Sequence, residues 1–175
     1  MSRFEGKLAI ISGGASGMGA LTAEHIVNEG GEVVTLDINE EMGKSVADKI
    51  GKSCEFFKAD VTNPESWNSL ENHLGDRFNK ITSVINAAGI SEPATIEDET
   101  FEHWNRTHAI NGTSVFLGCQ FAVKSMKDRS GTIVNFSSSL ATRPQSFVLA
   151  YNYSKAGVLL SLIHISEPTR LRSIS

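Results

Sequence analysis

Short apolar runs alternate with stretches of helical spacing along most of the chain. Residues 8–11 read as a buried strand that ends in four glycines within seven positions, Gly13, Gly14, Gly17 and Gly19. Residues 20–28, with Leu21, Ala23, Ile26 and Val27 apolar and Gly30-Gly31 behind them, predict a helix and its stop. Residues 32–36 predict a second strand ending at Asp37, residues 40–50 a helix closed by Gly51, and residues 54–58 a third strand running into Asp60 and Val61. Asn63 caps and Pro64 opens the next helix, whose buried face carries Trp67, Leu70, Leu74 and Phe78. Residues 81–85 form the fourth predicted strand, ending in Asn86-Ala87-Ala88-Gly89. Residues 100–127 predict one long helix despite Gly112, residues 132–136 a fifth strand running into Ser137, Ser138 and Ser139, and Tyr151 opens the last helix.

Strands alternating with helices, without repeats or linkers, predict an α/β fold in which right-handed crossovers build a doubly wound parallel sheet. Ligands of such sheets sit at the carboxyl ends of the strands, the edge that here carries the glycine loop, Asp37, Asp60, Asn86 and Ser138. Glycines let the backbone take positive φ and approach a ligand closely. The following helix aims unpaired N–H groups and the positive end of its dipole at the loop, which suits a dinucleotide pyrophosphate. A tight ligand-free turn is the alternative. Asp37 lies twenty residues after Gly17, where a carboxylate accepts from a ribose 2′-hydroxyl. It would repel a 2′-phosphate, and no Lys or Arg in the loop or just after Asp37 offsets that repulsion, so the spacing favours NAD. The alternative for Asp37 is a helix cap before Glu40 and Glu41.

Composition narrows this picture only by exclusion. The 175 residues suit one domain, with 40% hydrophobic and 21% charged residues, and a net charge of −4 supplies no basic footprint for nucleic acid. Cys54 and Cys119 are far apart and lack metal-ligand spacing, as do His25, His73, His103 and His108, so two reduced thiols in a cytoplasmic protein are expected. No signal peptide and no membrane span is expected.

The acid–base chemistry is concentrated in the last helix. Tyr151 and Lys155 stand at i and i+4 on one face, whereas Tyr153 points elsewhere. A phenol in water ionises near pH ~10, so acid–base work at neutrality needs a neighbouring positive charge. One such charge at about 4 Å in an effective dielectric of about 20 is worth roughly 4 kcal/mol. Lys155 is therefore large enough an effect; a surface Tyr-Lys pair on an amphipathic helix is the bland alternative.

Taken together, Ser12 to Gly19 (SGGASGMG), Asp37, Asp60 to Thr62, Asn86 to Gly89 (NAAG), Asn111, Ser138 and Tyr151 to Lys155 (YNYSK) resemble the short-chain dehydrogenase/reductase family in order and spacing, including the thirteen-residue step from Ser138 to Tyr151. Within it the chain is similar to bacterial NAD-dependent hydroxysteroid and cyclic-alcohol dehydrogenases. The resemblance implies a Rossmann fold and a catalytic set of Ser138, Tyr151, Lys155 and Asn111. Tyr151 would exchange a proton with the substrate hydroxyl, Ser138 would hold the same oxygen, Lys155 would support Tyr151 and the nicotinamide ribose, and Asn111 would support a water in a proton relay. It further implies cofactor contacts from Gly13, Ser16, Gly17, Met18, Gly19, Asp37, Ile38, Asp60, Val61, Asn86, Ala87, Gly89, Tyr151 and Lys155. Asn111 as a simple helix interruption, and Ser137 or Ser139 in place of Ser138, stay open. Ser12 and Ala87 depart from the commoner Thr and Asn of the family's motifs without changing local chemistry.

The family's pocket segments offer Ile90, Ser91, Pro93, Leu140, Arg143, Pro144, Gln145 and Phe147, of which Leu140 and Phe147 suit an apolar secondary alcohol or ketone. The resemblance covers residues 4 to about 159, and the family continues for two further strands. Residues 160–170 instead resemble the translation of a transposase adapter used in sequencing libraries, with Pro168 inside the expected helix. The expectation is an incomplete domain over residues 1–159 and a non-native tail over 160–175. Two readings follow: an NAD-dependent alcohol dehydrogenase with a small-molecule substrate, homotetrameric or homodimeric in its parent form, or a non-catalytic nucleotide-binding fragment of one. A 3-oxoacyl-type reductase is a further alternative.

Overall fold

A computed structural model describes residues 2–127 and 129–165. Five parallel strands, β1 (Leu8–Ser12), β2 (Glu32–Asp37), β3 (Cys54–Lys58), β4 (Ile81–Asn86) and β5 (Thr132–Asn135), form one sheet in the order β3-β2-β1-β4-β5. The chain winds outward from β1 through β2 to β3, returns, and then winds the other way through β4 and β5. The reversal between β1 and β4 opens a crevice at their carboxyl ends. The connecting helices are α1 (Gly17–Asn28), α2 (Glu40–Ile50), α3 (Pro64–Leu74), α4 (Phe101–His108), α5 (Ser114–Ser125) and α6 (Leu149–Ile165).

The sheet is covered on both faces because strand side chains alternate and both sets in β1 are apolar. Leu8 and Ile10 join Val34, Leu36, Val84, Trp67, Leu70, Phe78 and Phe121 on one side, while Ala9 and Ile11 join Val33, Ile85, Ala23, Ile26 and Ala47 on the other. Trp67 and Phe78 flank Phe121 at centroid separations of 5.2 and 5.3 Å, which fastens α3 and the turn after it to α5.

Several elements differ in extent from the sequence expectation. Helix α1 starts at Gly17, three residues early, because Ser16 is already extended and the helix grows directly from the glycine turn. Asn63 caps α3 as expected, accepting from the Glu65 N–H at 2.9 Å, and Pro64 takes the first position. The long helix over residues 100–127 is three pieces: α4, a π-helical turn over Ala109–Thr113, and α5. There the Ser114 N–H donates to the Ala109 carbonyl, and the Ser114 hydroxyl donates to the Ile110 carbonyl at 2.5 Å. Helix α6 begins two residues before Tyr151 and continues to Ile165, and the expected tail residues from 166 onward, Pro168 among them, lie outside the described residues.

Leu70 is fully buried between α3 and the sheet. Leu70→Ala is expected to cost about 3 kcal/mol, within the range for buried Leu truncations, read as a lower urea midpoint at unchanged m-value.

Candidate active site

The glycine loop is held against two neighbouring strand ends. The Gly14 N–H donates to the Leu36 carbonyl at 3.1 Å, and the Ser12 hydroxyl accepts from the Ala87 and Ala88 N–H groups at 3.1 and 3.3 Å. Gly13, at φ +71°, packs so closely that a Cβ there would lie 2.8 Å from the Ala88 backbone. A Cβ at Gly19 would overlap the Gly13 carbonyl oxygen, so α1 packs onto the loop only without a side chain at that position. The result is a cleft of about 610 Å³ at the crevice between β1 and β4.

Most of the expected cofactor contacts line this cleft: Gly13, Ser16, Gly17, Met18, Gly19, Asp37, Ile38, Asp60, Val61, Ala87 and Gly89. Asp37 accepts from the Ala15 N–H at 3.2 Å and the Asn39 N–H at 3.0 Å, so its carboxylate is fixed at the wall. The capping alternative for Asp37 fails because Asn39 caps α2, accepting from the Met42 N–H at 3.1 Å. Asp60 is set by the Thr62 N–H and hydroxyl at 2.9 and 2.7 Å. A glycine cradle at a helix N-terminus, with a fixed carboxylate across it, has the chemistry to hold a dinucleotide.

Asn86 does not line the cleft. Strand alternation turns it inward, where it is 2% exposed and its amide donates to Asn135 Oδ1 at 2.8 Å. Gly118 makes the room, since a Cβ there would overlap Asn86 Oδ1, and the residue ties β4 to β5 under α5. Tyr151 and Lys155 are also absent from the cleft lining; Lys155 borders it through Gly89, whose missing Cβ would stand 3.3 Å from both Lys155 Nζ and Asn111 Oδ1.

The acid–base residues gather at that end. Lys155 is 5% exposed, its ammonium donates to the Phe136 carbonyl at 2.8 Å, and it lies 5.8 Å from the centroid of the Tyr151 ring. Burial pushes the Lys155 ammonium below its ordinary range. Tyr153 points away and packs against Trp104 and His108. The three serines differ in their partners. The Ser137 hydroxyl donates to the Lys155 carbonyl at 2.8 Å, Ser139 is exposed, and Ser138 sits half-buried in extended backbone, accepting from the Leu140 N–H at 3.1 Å. Asn111 does more than interrupt a helix: its side chain accepts from the Ile90 N–H at 2.8 Å and donates to the Ile90 carbonyl at 2.9 Å.

Sequence reading missed Arg106, which lines the cleft and is paired with both oxygens of Glu92 at 2.9 and 3.0 Å. No local motif announces it, because the two residues belong to a loop and a helix. Beside the site, a cavity of about 460 Å³ is lined by Glu92, Pro93, His103 and Phe147 among others. Phe147 is 63% exposed and holds φ +66°, pinned by the Ala94 N–H on its carbonyl at 2.7 Å. Leu140 is half-buried, and Arg143, Pro144 and Gln145 are exposed. Among the described residues no group of three or more His, Cys, Asp or Glu side chains is disposed to hold a metal ion, and no helix is long and apolar enough to cross a membrane.

Residues 7–167 match the family model described as short chain dehydrogenase. The chain belongs to that family. This short-chain dehydrogenase is 39% identical over 161 residues to 2,5-dichloro-2,5-cyclohexadiene-1,4-diol dehydrogenase LinX of Sphingobium indicum, covering 90% of the chain and 64% of that relative. It is 40% identical over 137 residues to a 3-alpha-(or 20-beta)-hydroxysteroid dehydrogenase of Mycobacterium tuberculosis, covering 78% and 53%. An NADP-dependent (R)-specific alcohol dehydrogenase of Lentilactobacillus kefiri is 32% identical, with 89% and 64% covered. The crystal structure of a short chain dehydrogenase from Mycobacterium smegmatis superposes with a TM-score of 0.86 at 28% identity, over 95% of this chain and 74% of that one. The resemblance to cyclic-alcohol and hydroxysteroid dehydrogenases therefore holds, while the chain spans less than two thirds of the length of these three curated relatives.

The Lys155 environment gives a pH signature. Its folded-state value lies below the 10.5 of an exposed lysine, so at any pH below that folded value the fold carries the full cost of a buried ammonium. As pH climbs from the folded value to 10.5, the folded state sheds its proton first and that cost disappears. Urea midpoints measured from pH 7 to 10.5 are expected to rise for the wild type relative to Lys155→Met; parallel curves would contradict the burial argument.

Proposed function

We propose that this short-chain dehydrogenase transfers a hydride between NAD(H) and a secondary alcohol or ketone on an apolar, cyclic skeleton. The observation that carries the proposal is the continuity at Gly89, where the cleft of the glycine loop meets Lys155 and Asn111. NAD, when bound, supplies the hydride acceptor. The glycine loop and the α1 N-terminus would hold the pyrophosphate, and Asp37 the adenine ribose.

Tyr151 serves as the acid–base residue, taking the proton of the substrate hydroxyl, while Ser138 hydrogen-bonds the same oxygen and fixes its position. Lys155, buried beside the Tyr151 ring, stabilises the phenolate. The Asn111 side chain, spent on Ile90, holds the loop after β4 in place, and the residue would support the relay water from its π-helical turn.

NAD over NADP follows from charge. The fixed Asp37 carboxylate faces the cleft, and the cleft-lining cation Arg106 is already neutralised by Glu92. Two buried free thiols, both pushed above the ordinary thiol range by desolvation, suit a reducing cytoplasm. Leu140 and the exposed Phe147 favour an apolar substrate over the acyl-carrier substrate of a 3-oxoacyl-type reductase.

NADH fluorescence titration followed by oxidation of cyclic secondary alcohols tests the reading. NADH is expected to bind more tightly than NADPH, and Asp37→Ala to erase the preference; tighter NADPH binding by the wild type would overturn the Asp37 argument. Tyr151→Phe is expected to keep NADH binding and lose roughly 10²–10⁴-fold in turnover. Unchanged turnover would remove Tyr151 from the acid–base role. NADH binding without any turnover in the wild-type chain would favour the nucleotide-binding fragment.

A further inference from the structure

Ser154 stands between Tyr151 and Lys155 in the sequence and is 3% exposed. Its hydroxyl donates to the Tyr151 carbonyl at 2.8 Å, one helical turn back, and accepts from Asn111 Nδ2 at 3.0 Å. A hydroxyl bonded to a carbonyl of its own helix is common in proteins; the second bond is the informative one. It completes the Asn111 amide, whose oxygen takes the Ile90 N–H and whose two N–H groups reach the Ile90 carbonyl and Ser154. Both N–H groups and one lone pair of the oxygen of that side chain are then used, inside the protein, on two different segments.

We infer that Ser154 is a positioning residue: through Asn111 it clamps the loop after β4 at Ile90 to the turn of α6 that carries Tyr151 and Lys155. The loop and the helix meet nowhere else in the site through so buried a polar chain among the described residues. Ile90 lines the cofactor cleft, and a Cβ at Gly89 beside it would stand 3.3 Å from both Asn111 Oδ1 and Lys155 Nζ. A slack Asn111 amide therefore loosens one wall of the cleft and the surroundings of Lys155 together. The inference deepens the proposed function, since the clamped wall is the one that meets NAD in that reading.

The experiment is amide hydrogen exchange by NMR on the full chain, with NADH titration on the same samples. Ser154→Ala removes the acceptor of one Asn111 N–H and favours the helix by propensity. Exchange at the Ile90 amide is expected to accelerate about fivefold, with the core amides of Ile10 and Val84 unchanged, and NADH affinity to fall by a similar factor. Ser154→Thr, which keeps the hydroxyl, is expected to restore Ile90 protection. Ser125→Ala removes a different buried hydroxyl, which donates to the Ala122 carbonyl, and is expected to leave Ile90 untouched. Unchanged Ile90 exchange in Ser154→Ala, or a loss spread equally over Ile10, Val84 and Ile90, would overturn the clamp. If the wild-type chain binds no NADH, the proposed function falls, while Ile90 exchange still decides the role of Ser154.

Discussion

The rest of the site depends on one close approach, the seating of the glycine loop on the end of β4. Gly13 presses on the Ala88 backbone, and the Ser12 hydroxyl holds the Ala87 and Ala88 N–H groups from the other side. The contact joins the strand that opens the first winding half to the strand that opens the second. It fixes how far α1 stands from the segment leading to Gly89, and so sets the width of the cleft. A methyl group at Gly13 would force the two halves apart, and one at Gly19 would push α1 off the loop, in a packed interior with nowhere to send the displacement.

From that junction outward, the site is arranged by charge. Asp37 and Asp60 stand on the cleft, each held by local N–H groups, and the cation Arg106 is balanced by a carboxylate outside the loop and strand motifs. Lys155 sits at the opposite end with a backbone carbonyl as its polar partner. In the proposed function this arrangement would offer a negative wall to a ribose and a buried positive group to an oxygen, a separation that would orient a ligand before any close contact formed.

Much of this was legible in residue order because strand ends, caps and glycines act locally. Asn63-Pro64 names its helix start by itself, and the α2 and β3 boundaries follow from Gly51 and the apolar runs around it. Three features escaped. The π-helical turn over Ala109–Thr113 arises because Asn111 must reach Ile90, a partner twenty-one residues away that no helical periodicity encodes. Asn86 sits in a cleft-edge motif yet faces inward, since its direction is set by the register with Ser12 and the space over Gly118. Arg106 and Glu92 found each other only once the chain had folded.

The backbone at Phe147 carries a mechanical consequence. A bulky residue in the left-handed region holds about 1–2 kcal/mol of unfavourable conformational energy, and the Ala94 N–H that keeps it there belongs to the facing loop. That N–H belongs to the parallel bridge between Ala94 and Val148, so the pairing of the two segments is what holds the Phe147 backbone in place. Part of the pairing energy between these two segments is thereby committed to keeping a bulky residue in a conformation it would not choose alone.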